Sequence, residues 1–275
     1  EEEREIAGCR VVVTKPLVKP LGVTFLLTAA NIPLSKYDSI RDALISINHV
    51  VVGYCINALC PLWGNHRIKA EEVHDMFKEL NKDYRVFEYN IVGHSIGGKI
   101  ALMVAALHDE DKALNSVVAL DPVDQSPVEF TKEKGKGDNI SLQHVGADIT
   151  MTITESGFFV DRDHNGRAIK SFNPNVNLVL HRNAGHMAYC DEGGELSWKA
   201  VMGAGNPDRN EFAKKDAIKI IKGKAQSKVD GKHFKRGAKK LVADTKAAAK
   251  ELSDDAKTSA QGMGTGMMLK GMLGM

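Results

Sequence analysis

Gly93-His94-Ser95-Ile96-Gly97 has the spacing G-x-S-x-G, and its flanks are those a nucleophilic serine requires. An apolar, strand-like run from Val86 to Val92 leads in, and a helix-like run from Lys99 to Leu107 leads out. On a strand–turn–helix elbow the backbone is crowded. Glycines on either side make room while the hydroxyl is lifted to the top of the sheet. A serine used this way needs a base, an acid that orients the base, and N–H donors for an oxyanion. The chemistry implied is acyl transfer, with ester hydrolysis as its simplest form. The plain alternative is a Gly-rich turn around a buried serine.

On such a sheet the chain order is serine, acid, histidine. Asp121 follows the apolar run Ser116-Val117-Val118-Ala119-Leu120 and precedes Pro122, which suits a turn at a strand end. A carboxylate there can accept the imidazole N–H, fix its tautomer and stabilise the imidazolium. A turn-capping role is the other reading, and Asp124 is the competing carboxylate. The base expected is His186, in the small-residue loop Asn183-Ala184-Gly185-His186-Met187 after a predicted strand. His181 falls on that strand, as a structural histidine would, and His144 and His164 are more distant candidates. One oxyanion donor is expected at Ile96 N–H, where a helix N-terminus favours negative charge. The second is expected at Ala30, in the loop Thr28-Ala29-Ala30-Asn31 after Leu26-Leu27.

These groups need a sheet that delivers them to one edge. Strand-like runs are expected at Ile6–Thr14, Val23–Leu27, His49–Tyr54, Val86–Val92, Ser116–Leu120, Asp148–Thr154 and Asn177–His181. Helical patterns fall at Tyr37–Ile47, Ala70–Leu80 and Lys99–Leu107. Strands alternating with helices predict an α/β chain with a mostly parallel sheet and helices on both faces. Reactive groups then gather at the carboxyl ends of the strands, and Ser95, Asp121 and His186 each follow a predicted strand.

Gly203-Ala204-Gly205-Asn206-Pro207 marks a change of composition, which divides the chain into a body, residues 1–204, and an extension, residues 205–275. The extension holds 16 Lys and Arg against 8 Asp and Glu, and the body 21 against 27, so a basic tail follows a mildly acidic body. Two helices are expected in the extension, about 208–226 and 231–252, followed by a Gly- and Met-rich end with too little bulk for a core. A basic amphipathic helix fits an anionic membrane surface. The tail's lysines lack interleaved aromatics, so nucleic acid is not an expected partner. Four scattered cysteines, Cys9, Cys55, Cys60 and Cys190, suit free thiols rather than a disulfide scaffold or a zinc site. Asp161 to Gly166 has some look of a calcium loop, lacks the closing glutamate and reads as a turn. No P-loop, G-x-G-x-x-G or H-E-x-x-H occurs. The chain opens on Glu1-Glu2-Glu3-Arg4 without an initiator methionine, so we expect a processed or trimmed N-terminus with any targeting peptide removed.

Three segments, in order, resemble the chlorophyllase family. Gly93-His94-Ser95-Ile96-Gly97-Gly98-Lys99 is similar to its G-H-S-R-G-G-K elbow, with Ile96 in place of arginine. Leu120-Asp121-Pro122-Val123-Asp124 resembles its I-D-P-V-D/A segment, and Gly185-His186-Met187 its G-H-M/L-D-M-L-D-D segment. The likeness covers roughly residues 20–200, and the family's L-L-H-G-Y stands here as Leu26-Leu27-Thr28-Ala29-Ala30. The resemblance implies an α/β-hydrolase fold and a serine esterase with Ser95, Asp121 and His186 as the triad. It requires no cofactor, and chlorophyll is the substrate or bound ligand through its phytyl ester. Phe25, Leu26, Leu62, Trp63, Phe130, Phe158, Phe159 and Met187 are consistent with an isoprenoid pocket, although core is the preferred reading of each. The location implied is the chloroplast. The basic tail has no counterpart in the family, and its own charge pattern points to docking on thylakoid membrane or an antenna complex through residues 206–275. A general carboxylesterase, or a weakly active pigment-binding protein on the same fold, are the alternatives.

Overall fold

Successive residues of a strand face opposite sides of a sheet, and the core follows that period of two. Val23, Phe25 and Leu27 enter one apolar cluster and Leu26 the other. Val50 and Val52 part from Val51 in the same way, Ile91 from Val92, and Val117 and Ala119 from Val118 and Leu120. A sheet that is apolar on both faces needs helices on both. The computed structural model of the protein describes residues 1–56, 66–86, 88–125, 127–132, 137–156, 164–191 and 205–226, and it has this arrangement.

The strands are β1 (Glu2–Ile6), β2 (Cys9–Thr14), β3 (Gly22–Leu27), β4 (His49–Tyr54), β5 (Tyr89–His94), β6 (Leu114–Leu120), β7 (Asp148–Ser156) and β8 (Asn177–Gly185). They form one sheet in the order β1-β2-β4-β3-β5-β6-β7-β8. The β1–β2 and β2–β4 pairs are antiparallel, and the other neighbours run parallel. Helices α1 (Asp38–Ile45) and α5 (Pro207–Gln226) cover the face of Leu26, Val51 and Val92. Helices α2 (His66–Tyr84), α3 (Ile96–Leu107) and α4 (Gly166–Phe172) cover the other. The sequence-based expectation of a mostly parallel sheet clad on both faces is met.

Three local expectations are corrected. The single strand expected at Ile6–Thr14 is a hairpin. Ala7 and Gly8 take φ of 49° and 76° between β1 and β2, the positive pair that a two-residue turn needs to match strand twist. β8 continues through Gly185, so the small-residue segment before His186 is strand rather than loop. Helix α4 was not foreseen. It is short, and Asn165 caps it by accepting from Arg167 N and Ala168 N.

The segment from residue 205 to Gln226 packs with the residues before it. One compact unit runs Glu1–Gln226, and Ser227–Met275 forms a second unit outside the described residues. Ala213, Ala217, Ile221 and Ala225 recur every fourth residue on α5 and are buried against the sheet. Lys214 pairs with Asp191 at 3.4 Å and Lys224 with Asp148 at 2.7 Å. The apolar stripe of α5 is therefore a layer of the body. The expected helix at 231–252 lies outside the described residues. Among the described residues, Cys9, Cys55 and Cys190 are free thiols, and no helix is long and apolar enough to cross a membrane.

Ile221 is 2% exposed beneath this helix. Ile221→Ala should lower unfolding stability by about 3 kcal/mol, the usual result of truncating a buried aliphatic side chain. Urea unfolding of the full chain measures it, and a loss under about 1 kcal/mol would show that α5 is not a core layer.

Three histidines are held neutral inside the body. Burial lowers His49 and His66 to about 4 and His94 to about 3, with Lys99 assisting at His66 and His186 at His94. Their folded pKa values lie below the ordinary 6.5, so the unfolded chain binds more protons between that value and about 4. Stability is then fully present above pH ~6.5 and is lost as pH falls, at up to about 1.4 kcal/mol per pH unit for each histidine. Melting temperature should drop on acidification from about pH 7 to about pH 5, and less steeply in His66→Leu, which removes one of the three groups. Equal slopes for the two proteins would contradict the assignment.

Candidate active site

Ser95 lies between β5 and α3 with φ 57° and ψ −120°, a region that residues with side chains rarely occupy. Its amide donates to Leu120 O at 2.9 Å, and its carbonyl accepts from Lys99 N at 3.1 Å and Val123 N at 3.3 Å. The turn is thereby tied to the end of β6. The two glycines of the motif are required by space. A Cβ on Gly93 would sit 2.2 Å from Gly97 O, and one on Gly97 would sit 2.5 Å from Thr28 O and 2.6 Å from Leu27 O. Backbone therefore packs directly on backbone at the elbow. The same contact brings the loop after β3 against the serine.

Asp121 follows β6 with φ 44°, and its amide donates to Thr152 O at 2.7 Å. Its Oδ2 accepts from His186 Nδ1 at 2.7 Å and from the Thr154 hydroxyl, and its Oδ1 accepts from Thr154 N at 3.1 Å. Burial pushes the Asp121 carboxyl upward. The His186 ring and the Thr154 donors outweigh that push and hold it below the ordinary range. His186 opens a short 3₁₀ turn after β8 and is fully buried. With its Nδ1 proton on Asp121, the ring's Nε2 is the basic nitrogen. That Nε2 is buried and has no hydrogen-bond partner among the described residues. The His186 ring lies 4.9 Å, centroid to centroid, from that of His94, the residue before Ser95, which sets the imidazole beside the elbow.

The competing residues have other work. Asp124 accepts from Glu129 N, Phe130 N, Thr131 N and the Thr131 hydroxyl at 2.7–2.9 Å, and it pairs with Lys99 Nζ at 3.3 Å. Lys99 also donates to Gln125 O and Pro127 O. This buried pair, one residue from the elbow and one from the acid segment, organises the loop 124–131. His181 shares protons with Tyr189 OH at 2.9 Å and Asp216 at 3.1 Å, which makes it structural. His164 bonds Thr131 Oγ1 at 2.7 Å, and His144 is exposed.

Of the expected oxyanion donors, Ile96 N–H belongs to the first residue of α3, where no intrahelical acceptor exists. Ala30 N–H has no acceptor among the described residues, whereas its neighbours are engaged: Ala29 N donates to Tyr37 OH at 3.0 Å and Asn31 N to Ile56 O at 2.9 Å. Phe25, Leu26 and Phe130 are core residues with at most 1% exposure, the preferred reading of the three, and are not pocket wall. Met187 is half-buried, and Leu62, Trp63, Phe158 and Phe159 lie outside the described residues. The sequence reading missed Tyr37 and the side-chain role of His94. His94 was visible as the variable position of the motif, and nothing in the sequence marked Tyr37.

No protein-family model matches the chain, and no curated protein sequence matches it. Solved structures do. Est1E from Butyrivibrio proteoclasticus superposes with a TM-score of 0.56 at 11% identity, covering 82% of this chain and 99% of that one. A "predicted CIB-like hydrolase" from Thermoplasma acidophilum gives 0.51 at 13%, covering 81% and 98%. At these identities the likeness concerns architecture alone. The strand order, the elbow after β5 and these neighbours together give the chain the α/β-hydrolase fold.

Proposed function

We propose that this chain is a serine ester hydrolase in which Ser95 is the nucleophile, His186 the base and Asp121 the residue that orients it. The observation that carries the reading is the buried 2.7 Å bond from His186 Nδ1 to Asp121, with Nε2 left open beside the elbow. In the first half-reaction, Nε2 takes the Ser95 proton as Oγ attacks the ester carbonyl carbon. The oxyanion is received by the N–H groups of Ile96 and Ala30. The tetrahedral species collapses, the C–O bond to the alcohol breaks, and His186 hands its proton to the departing oxygen. Water, activated by the same nitrogen, then attacks the acyl-enzyme and releases the acid and free Ser95. Protons and water balance both halves.

For substrate we carry over what the resemblance implies, the phytyl ester of chlorophyll, hydrolysed to chlorophyllide and phytol. Support comes from the D-P-V-D and G-H-M segments, which contain the Asp121 and His186 joined by the 2.7 Å bond. The plastid location, and docking on thylakoid membrane through the basic tail, belong to the same proposal. The tail beyond Gln226 lies outside the described residues.

Purified protein should hydrolyse p-nitrophenyl butyrate and chlorophyll a, and Ser95→Ala should reduce kcat by about ten-thousand-fold or more on both, with folding intact by circular dichroism. Activity on the nitrophenyl ester alone would mark a general carboxylesterase. Wild type and variant equally inert on both substrates would sink the hydrolase reading and leave a pigment-binding role on this fold.

A further inference from the structure

His94 stands at the centre of a hydrogen-bonded chain that none of the triad roles uses. Its Nε2 is 3.0 Å from the carbonyl oxygen of His186, and its Nδ1 is 2.8 Å from Tyr37 OH. Tyr37 OH is in turn 3.0 Å from Ala29 N. All three side chains are buried: His94 is 1% exposed, and Tyr37 and His186 are 0%.

The direction of each bond is forced. An amide N–H can only donate and a carbonyl can only accept. Burial keeps His94 neutral, with a pKa of about 3, so it has one proton to give. That proton must be on Nε2, because only a donor can satisfy His186 O. Nδ1 is then an acceptor and takes the proton of the Tyr37 hydroxyl at 2.8 Å, the Cys190 thiol standing farther from the same nitrogen at 3.8 Å. Burial holds that hydroxyl protonated, well above its ordinary pKa. The Tyr37 oxygen in turn accepts the Ala29 N–H. The order is Ala29 N–H to Tyr37, Tyr37 O–H to His94, and His94 Nε2–H to His186 C=O. From that same residue, His186 Nδ1–H reaches Asp121.

We infer that His94 and Tyr37 are positioning residues that lock the loop carrying Ala30 to the backbone of His186, so that the proposed oxyanion donor and the proposed base are set by one polar chain. This rests on the hydrolase reading above. Neither residue hydrogen-bonds to the ring nitrogens of His186, since Nδ1 is on Asp121 and Nε2 has no partner among the described residues. Ala29 immediately precedes the Ala30 N–H, and His186 C=O belongs to the residue whose ring must face Ser95. A shift at either end is therefore transmitted through two stiff aromatic rings. The tilted His94–His186 contact, 4.9 Å between centroids, and the edge contact of Tyr37 on His94, at 5.8 Å, pack the three rings against one another along the same chain.

Tyr37→Phe keeps the ring and removes one oxygen, His94→Leu removes both bonds, and His94→Gln retains a donor where Nε2 stands. Amide exchange at Ala29 should accelerate at least about tenfold in Tyr37→Phe and in His94→Leu, since its acceptor is lost or freed. The far-downfield proton resonance of His186 Nδ1–H, assigned by its absence in Asp121→Asn, should broaden in His94→Leu and return in His94→Gln. On p-nitrophenyl butyrate, kcat should fall about tenfold in Tyr37→Phe and about a hundredfold in His94→Leu, with KM within about twofold, and the double variant should be no worse than His94→Leu alone. An active enzyme whose Ala29 exchange and kcat ignore Tyr37→Phe, or whose two penalties multiply, overturns the coupling. Loss of the hydrolase reading shows up elsewhere, as Ser95→Ala without effect. The exchange and proton measurements need no turnover, so they decide the coupling in an inert chain as well.

Discussion

The tightest constraint in the molecule is the approach of backbone to backbone at the elbow. Gly97 packs on the Leu27 and Thr28 carbonyls with no space for a single added carbon, and Gly93 packs on Gly97 in the same way. Two consequences follow from that contact. The chain must reverse from β5 into α3 within one residue, which puts Ser95 at φ 57°. The end of β3 must also lie against the start of α3, which brings the Leu27 and Thr28 backbone onto the first turn of that helix. Removing a side chain at two positions thus fixes the backbone on either side of a third residue. The strain at Ser95 is held by the Leu120, Lys99 and Val123 bonds to its peptide groups.

Charge is distributed around this turn with the same economy. Asp121 and Asp124 are three residues apart, and both are buried, yet they face different partners. Asp121 meets an imidazole and the Thr154 donors; Asp124 meets an ammonium and four donors from its own loop. Burying an ion pair such as Lys99–Asp124 is close to neutral for stability, because desolvation offsets the attraction. Its value lies in specificity. Lys99 is fixed to α3, and among the described residues its ammonium reaches Asp124, Gln125 O and Pro127 O, which ties α3 to the segment after Asp121. Desolvation lowers the Lys99 pKa, whereas Asp124 and Glu129 nearby raise it, and the pair remains the anchor between α3 and that loop.

The triad candidates were legible in the sequence because each is announced locally. A strand run, a tight turn and a small or restricted residue precede or follow Ser95, Asp121 and His186. The sheet was legible for the same reason: buried parallel strands are continuous apolar runs, and β4 has the bounds read from its residues. What failed was whatever depends on a distant partner. The Ala7-Gly8 turn is only two residues long, so the flanking apolar residues read as one strand. Helix α5 has alanines where a core helix more often has leucines, and its many lysines suggested an independent segment. Its stripe is visible as core only once the sheet face opposite is known to be short of a cover. Tyr37 was invisible because its hydroxyl acts across 57 residues of chain, on a histidine whose side chain the motif leaves unspecified.

The loop Thr28-Ala29-Ala30 bears on whether alanine can stand where the resembled family has glycine. Glycine is needed in a loop for one of two reasons, a positive φ or an approach too close for Cβ. Neither Ala29 nor Ala30 is among the residues with positive φ; that conformation falls to Asn31, at 59°. Asparagine tolerates the left-handed region better than most side chains. The close approach in this part of the fold is supplied from the other partner, at Gly97. Alanine at 29 therefore removes no backbone freedom that this loop uses, and its own amide is fixed by Tyr37. The left-handed residue of this loop is thus Asn31, and alanine at 29 and 30 meets no conformational demand that only glycine could satisfy.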